Sequence, residues 1–222
     1  MMKAIIICGG DVGDYEFYKQ SDFDGTYIIC ADGGLKHCKK LNIRPDLIVG
    51  DNDSWTEQYP AEIESMVSPP EKNYTDTNIC IDEAIERGFK EIMLIGALGG
   101  RRDHEFSHFC LLAYGLKHGV KIKILDRYNE IWMEDKPFEL FRGSRKYVSF
   151  FPFGGDVEEF TVRGLKYEAE KMRLACDEVR ASSNEFDKCD AALISFKSGR
   201  VIVMLCDDRA ADQRSESNAK QV

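Results

Sequence analysis

Along the first 125 residues, short β-branched runs alternate with stretches whose apolar positions recur every three or four residues. Residues 3–8, 26–30, 46–49, 91–95 and 121–125 read as strands, being rich in Ile, Val and Leu and too short for helices. Between them, 77–87 sets Ile81, Ala84 and Ile85 on one helical face and stops at Gly88. The run 103–118 likewise stacks Phe106, Phe109, Cys110, Ala113 and Leu116 ahead of Gly119. Such alternation predicts a mainly parallel sheet. Past residue 130 the helical period is lost. The runs 131–134, 146–151, 156–162, 191–196 and 200–206 are separated by Gly, Asp and Ser, which predicts antiparallel β-structure. Ser198-Gly199 and Phe153-Gly154-Gly155-Asp156 are expected to be hairpin turns. The fold class is therefore α/β plus all-β, with an N-terminal mainly parallel α/β domain over 1–135 and a C-terminal antiparallel β domain over 138–207. The two join near 128–137, and the nearly apolar-free stretch 208–222 is expected to fray as a disordered tail.

A chain of 222 residues at 43% hydrophobic is long and apolar enough for one or two packed domains, which excludes a disordered chain. With 30 Lys and Arg against 39 Asp and Glu, the net charge of −9 argues against a surface that grips nucleic acid or anionic lipid. Neither nucleic acid nor membrane is expected as a partner, and an anionic substrate would need local compensation. The longest apolar run, 4–8, falls far short of the roughly 20 residues that span a bilayer, and no charged-then-apolar leader opens the sequence. A soluble cytoplasmic protein is expected. Of eight cysteines, Cys8, Cys30, Cys110 and Cys206 sit inside apolar runs and no C-x-x-C occurs, so they read as packing thiols of a reducing compartment. His104 and His108 share an i, i+4 face that can hold a metal. No Cys or third His stands nearby, so packing or surface placement is the expectation.

In an open α/β sheet, ligands sit outside the carboxyl ends of the strands. The residues that follow the strands here are acidic: Asp32-Gly33-Gly34, then Gly50-Asp51-Asn52-Asp53-Ser54, then Asp103 in Gly99-Gly100-Arg101-Arg102-Asp103-His104, with Asp76 at a helix start. Asp51 and Asp53 are two apart, so an extended backbone projects both carboxylates to one side. Hard oxygen donors of this kind suit magnesium, which takes one or two carboxylates and keeps water and substrate phosphate oxygens. The alternative is an Asx-rich turn. Asp32 either caps the helix 34–41 or faces a ligand, and Thr75 or Asp76 either caps the next helix or does the same. Recurrence favours chemistry, because carboxylates gathered on one rim repel unless a cation offsets them. In 99–103, glycines permit close backbone approach, the following helix offers free N–H groups, and guanidinium forks match phosphate oxygens. The segment lacks G-K-[ST] and G-x-G-x-x-G, which leaves an anion site or an ordinary strand-to-helix turn. Cys8-Gly9-Gly10-Asp11 reads as a turn, and by composition so do Gly164-Leu165-Lys166-Tyr167 and Ser182-Ser183-Asn184-Glu185.

The order of these segments resembles the thiamine pyrophosphokinase family over about residues 1 to 206. The family pattern is D-G-G, P-D-x-x-x-G-D-x-D-S, T-D, G-G-R-x-D-H, G-L-x-Y and S-N-E. This chain carries Asp32-Gly33-Gly34, Pro45 through Ser54, Thr75-Asp76, Gly99 through His104, Gly164 through Tyr167, and Ser183-Asn184-Glu185. The chain departs from the pattern at Asn52 between the two acids, at Asn73-Tyr74 before Thr75, and at His108 where Asn is frequent. The resemblance implies a nucleotide-binding α/β domain, a thiamine-binding β-sandwich and a homodimer with active sites at the subunit boundary. It implies Mg2+-dependent transfer of pyrophosphate from ATP to the hydroxyl of thiamine, with release of AMP. Carried over by position, Asp51, Asp53 and Asp76 resemble the magnesium-binding acids, with Asp32 and Asp103 completing the rim. Arg101 and Lys72 resemble the residues that steady phosphates and the reacting end of thiamine, His104 joins Asp32 and Asp103 in the implied substrate-binding set, and Ser183 and Asn184 occupy the thiamine-ring positions. The catalytic set is thus Asp51, Asp76, Arg101 and Asp103. Two other readings share the D-x-D: a nucleotide-sugar transferase, which leaves 99–104 unexplained, and a non-catalytic nucleotide or cation-binding module.

Overall fold

The apolar runs of the first 125 residues form parallel strands in the computed structural model of the chain, which describes residues 3–19, 23, 25–50, 62–67 and 74–208. Asp51, Asn52, Asp53, Lys72 and the stretch from 209 onward lie outside the described residues. The chain divides into two compact units, Met1–Arg127 and Tyr128–Val222.

In chain order the first unit contains β1 (Lys3–Ile7), α1 (Tyr15–Lys19), β2 (Tyr27–Ala31), α2 (Leu35–Leu41), β3 (Leu47–Gly50) and β4 (Glu64–Val67). It continues with α3 (Asp76–Glu86), β5 (Glu91–Ile95), α4 (Arg102–Lys117) and β6 (Lys121–Leu125). The strands lie in the order β4-β3-β2-β1-β5-β6, every neighbouring pair parallel. Ile6, Ile7, Ile29, Leu47, Ile48, Leu94 and Ile95 are almost wholly removed from water, as central strands covered on both faces require. Each such side chain contributes about 1.5–3 kcal/mol of burial free energy. On one face, Tyr18 of α1 and Leu35, Cys38 and Leu41 of α2 pack against Ile5, Ile7, Ile28, Cys30 and Ile48. The amphipathic α3 packs against β1, β2 and β3, and α4 against β6.

From β1 the chain steps outward through β2, β3 and β4, then returns to the other side of β1 as β5 and β6. The direction of winding therefore reverses between β1 and β5. At such a reversal the loops leaving the two strands diverge to opposite faces and open a crevice at the carboxyl edge. Two elements of this unit carry weak sequence signals. The edge strand β4, Glu-Ser-Met-Val, is mostly exposed and has no buried face to write an alternation, and α1 is only five residues long.

The second unit comprises β7 (Asn129–Glu134), β8 (Phe138–Phe141), β9 (Tyr147–Pro152), β10 (Val157–Arg163), β11 (Ala169–Leu174), β12 (Asn184–Glu185), β13 (Ala191–Ser195) and β14 (Val201–Cys206). All pairings are antiparallel, in the orders β12-β9-β14-β7 and β11-β10-β13-β8. Both groups feed one core. Trp132, Val148, Phe150, Val203 and Leu205 come from the first, and Leu140, Val157, Phe160, Val162 and Ile194 from the second. Phe150 and Phe160 meet edge to face with centroids 5.4 Å apart.

The two turns expected to close hairpins instead carry the chain between these strand groups. β13 pairs with β10 and β8, whereas β14 pairs with β7 and β9. Ser198 bridges to Glu158 of β10, with Glu158 N–H donating to Ser198 O at 3.1 Å. The turn 153–156 similarly separates β9 from β10, which lie in different groups. A glycine turn fixes where a chain reverses. Which strand becomes the partner is decided by the shared core, and turn chemistry does not encode that choice. Among the described residues, no helix is long and apolar enough to cross a membrane.

Candidate active site

The backbone crowds most tightly where β1, β2 and β5 end. Cys8 N–H donates to Ile95 O at 2.7 Å and Gly10 N–H to Gly96 O at 2.9 Å. A Cβ on Gly10 would stand 2.5 Å from Gly96 O, and one on Gly34 would stand 2.0 Å from Ile7 O. Glycine is needed there for space, because main chain meets main chain. The segment Cys8-Gly9-Gly10-Asp11, read from sequence as a plain turn, is thus the hub of the carboxyl edge. A glycine pair leaving the first strand of an α/β unit is the signal that would have marked it.

Asp32 leaves β2 in a one-turn 3-10 helix, Asp32–Gly34, at 8% exposure and with φ of 28°. That left-handed backbone is strained for a residue with a Cβ, and such strain clusters at functional sites. The N-cap of α2 is Gly34, which has no side chain, so capping does not account for Asp32. At the start of α3 the cap is Thr75, whose Oγ1 accepts from Asn78 N–H at 3.3 Å, and Asp76 is the first helical residue. Thr77, one residue on, places its hydroxyl 3.7 Å from Cys8 Sγ and 3.4 Å from His108 Nε2. His108 Nδ1 lies 2.6 Å from Ala97 O. A carbonyl only accepts, so Nδ1 carries the proton and Nε2 faces Thr77 bare. Buried contacts therefore tie α3 and α4 to the exits of β1 and β5.

Burial holds the His108 imidazole below its ordinary value and pushes the Cys8 thiol up to about 12. An unfolded imidazole titrates at 6.5, so the stabilisation from neutral His108 is complete above that pH and declines as pH falls toward the lower folded value. Thermal melts should therefore show stability falling from pH 6.5 downward, and the slope should flatten in His108→Asn.

Arg101 is the N-cap of α4 and grips Asp103 with two prongs, Nη2 to Oδ2 at 2.6 Å and Nε to Oδ1 at 3.2 Å. Both side chains are exposed, and the guanidinium holds the Asp103 carboxyl below the usual carboxylate range. His104 is exposed in the same first turn, its N–H given to Asp103 Oδ1 at 3.0 Å. Glu105 holds an unforeseen place. Its Oε1 accepts from Gly99 N–H at 2.8 Å and Gly100 N–H at 3.2 Å, while Oε2 pairs with Arg102 at 2.6 Å. The amides of the two glycines, expected to let a ligand approach the backbone closely, are held by the chain's own carboxylate. A Glu in the first turn of a helix is the sequence sign for such a reach-back. Arg101 and Arg102 are both exposed cations, each paired with a carboxylate of the same turn.

In the second unit, Ser183 has φ of 56° and gives its N–H to Ser149 Oγ at 2.9 Å. Asn184 is buried, and its amide is spent on backbone. Oδ1 accepts from Tyr167 N–H at 3.0 Å and Glu185 N–H at 2.9 Å, and Nδ2 donates to Tyr167 O at 2.7 Å. The segments 164–167 and 183–185 are thereby one piece, which presents the Tyr167 ring at 62% exposure with Lys166 Nζ 5.4 Å from its centroid.

Asp32 in the turn after β2, Arg101 at the N-cap of α4, and Asp76 and Asp103 in the first turns of α3 and α4 thus stand at one carboxyl edge, linked through Gly33 to Gly9, Thr77 to Cys8 and Gly99 to Asp11. Among the described residues, no group of three or more His, Cys, Asp and Glu could hold a metal ion. Asp32 and Asp76 are hard oxygen donors suited to magnesium, which needs only one or two protein carboxylates.

Two family descriptions match consecutive parts of the chain: "Thiamin pyrophosphokinase, catalytic domain" over residues 19–124 and "Thiamin pyrophosphokinase, vitamin B1 binding domain" over 137–201. The chain is 32% identical over 218 residues to the thiamine pyrophosphokinase of Bacillus subtilis, covering 93% of this chain and all of that one. The crystal structure of the Bacillus subtilis enzyme superposes with a TM-score of 0.84 at 28% identity, covering 93% of this chain and 99% of that one. The Geobacillus thermodenitrificans structure superposes with a TM-score of 0.79 at 28% identity, with coverage of 94% and 99%. On the strength of these likenesses over nearly its whole length, the chain belongs to the thiamine pyrophosphokinase family.

Proposed function

We infer that the chain transfers the terminal diphosphoryl group of ATP to the hydroxyl of thiamine, giving thiamine diphosphate and AMP, with ATP on the carboxyl edge of the parallel sheet. The observation that carries this placement is the meeting of the β1, β2 and β5 exits at the winding reversal, with Asp32, Asp76 and the Arg101–Asp103 pair on the loops around it. We assign ATP to a domain over 1–135 and thiamine to a β-sandwich over 138–207, with two copies sharing each site at their boundary.

The hydroxyl oxygen bonds to the β-phosphorus as the bond from that phosphorus to the α-phosphate oxygen breaks; AMP leaves with that oxygen, and the hydroxyl proton passes to water. Such a transfer asks the protein mainly for alignment and charge compensation. Asp32 and Asp76, with Asp51 and Asp53, would hold magnesium, which supplies positive charge to the triphosphate and to the leaving oxygens when bound. Arg101 is an exposed fork that turns from Asp103 to a phosphate oxygen as negative charge grows there. By its position in the sequence, Lys72 would supply a further cation. Asp103 stays ionised because Arg101 depresses it, which makes it a poor proton acceptor, and no base is assigned. In the second unit the exposed Tyr167 ring offers an aromatic face to the cationic thiazolium, Asn184 acts by fixing that face, and Ser183, the residue before Asn184, is assigned to the thiamine ring.

Incubation with magnesium, labelled ATP and thiamine should yield one AMP per thiamine consumed. Nucleotide-sugar transfer or simple nucleotide retention would give none. Arg101→Met should lower kcat by about 10²-fold. Because the lost ion pair is solvent-exposed, the melting temperature should stay within about 2 °C. Unchanged turnover in that variant would remove Arg101 from the site.

A further inference from the structure

His37 lies on the first turn of α2, at 2% exposure, with both ring nitrogens engaged. Nε2 is 2.7 Å from Gly10 O and Nδ1 is 2.6 Å from the Tyr15 hydroxyl. The carbonyl can only accept, so Nε2 carries the proton and Nδ1 accepts from Tyr15. Next to it, the exposed Lys36 extends its ammonium to Gly9 O at 2.7 Å. Two consecutive carbonyls of the β1 exit are therefore held by two consecutive side chains of α2, the helix that directly follows Asp32-Gly33-Gly34. The same Gly10 gives its N–H to Gly96 O on the far side of the winding reversal. Its peptide groups are thus bound to α2 on one side and to the β5 exit on the other. Because a peptide is planar and trans, fixing the Gly10 carbonyl also fixes the direction of the Asp11 N–H at the edge.

We propose that His37, assisted by Lys36, is a positioning residue for the triphosphate: it clamps the β1 exit loop and through Gly10 holds the 96–101 loop, with Arg101, in register for ATP. Nothing in this role requires His37 to touch the nucleotide. Burial keeps the imidazole below its ordinary value and hence neutral, the state in which Nδ1 can accept from Tyr15. The proposal rests on the placement of ATP at this edge, which the experiment tests separately.

Steady-state kinetics on the full chain provide the test, with magnesium-ATP and thiamine varied in turn. His37→Leu should raise the KM for magnesium-ATP about tenfold and leave that for thiamine within about twofold. His37→Gln, whose amide N–H reaches about as far as Nε2, should restore the wild-type KM to within about threefold. Lys36→Met, at an exposed position that does not threaten folding, should raise the same constant about threefold. Equal rises for both substrates, an unrestored Gln variant or an unchanged Lys36→Met would overturn the proposal. The Arg101→Met and Asp76→Asn variants supply the control, measured by binding of a non-hydrolysable magnesium-ATP analogue. If neither weakens binding, ATP sits elsewhere and the placement itself fails. If both do while His37→Leu and Lys36→Met do not, only the clamp fails.

Discussion

Gly34→Ala is expected to lose about 3 kcal/mol or more of stability, a fall in melting temperature of roughly 6–12 °C. Backbone freedom is not the reason, since Gly34 has φ of −67° and ψ of −19°, which any residue adopts. Space is. The added methyl would sit 2.0 Å from Ile7 O and 2.8 Å from Ile7 C, both main-chain atoms of a central strand that has no rotamer by which to withdraw. Relief requires β1 and the Asp32–Gly34 turn to separate, which opens the core under Leu35 and tilts Asp32 away from the edge. Activity should fall with stability. Gly143→Ala is the matched control, because a methyl added there would meet nothing within 4 Å and its melting curve should stay within about 1 °C. A Gly34→Ala protein that melts like the wild type would show that β1 and the turn are not in contact.

At the start of α3, two adjacent residues should give opposite phenotypes. Asp76→Asn removes one negative charge and keeps the shape. If that carboxylate holds the ion that neutralises the triphosphate, kcat should drop by about 10²–10³-fold. The stability cost should be at most about 1 kcal/mol, the share due to a charge at a helix N-terminus. Thr75→Ala removes the actual cap, whose Oγ1 accepts from Asn78 N–H. It should cost about 1 kcal/mol of stability while sparing most of kcat. Turnover and thermal melts of the pair decide the matter. Parallel losses of activity and stability in Asp76→Asn would reduce that residue to helix-end support.

Those contrasts follow from which parts of the molecule a sequence can express. The central strands are legible to within a residue or so because burial on both faces writes an unbroken apolar run, as in Ile5 to Ile7 and Ile28 to Cys30. β11, Ala-Glu-Lys-Met-Arg-Leu, is largely exposed and leaves no such run, and β12 is two residues long. Of the candidate site, Asp32, Asp76, Arg101 and Asp103 can be singled out because each directly follows a strand or stands at the start of a helix. The buried polar contacts behind these positions and in the second unit are hidden for a common reason. His37 meets Gly10, Thr77 meets Cys8, and Asn184 meets Tyr167, partners brought together from separate stretches of sequence only by the fold. Asn184 is also a warning about motif residues. Its neighbourhood is marked by the S-N-E pattern, yet its amide is committed to the main chain of Tyr167.

That one amide, bonded in both directions to a residue seventeen positions earlier, has a further consequence. The strand and bend between Tyr167 and Ser183 form an excursion whose two ends are stitched at the base. Residues 176–180 at its far side are all exposed. A purification tag or small reporter module spliced there would lengthen only the excursion, at an entropic cost that grows slowly with size. The stitched base would keep its geometry, which makes this bend a natural place to attach a fluorophore that watches the enzyme at work.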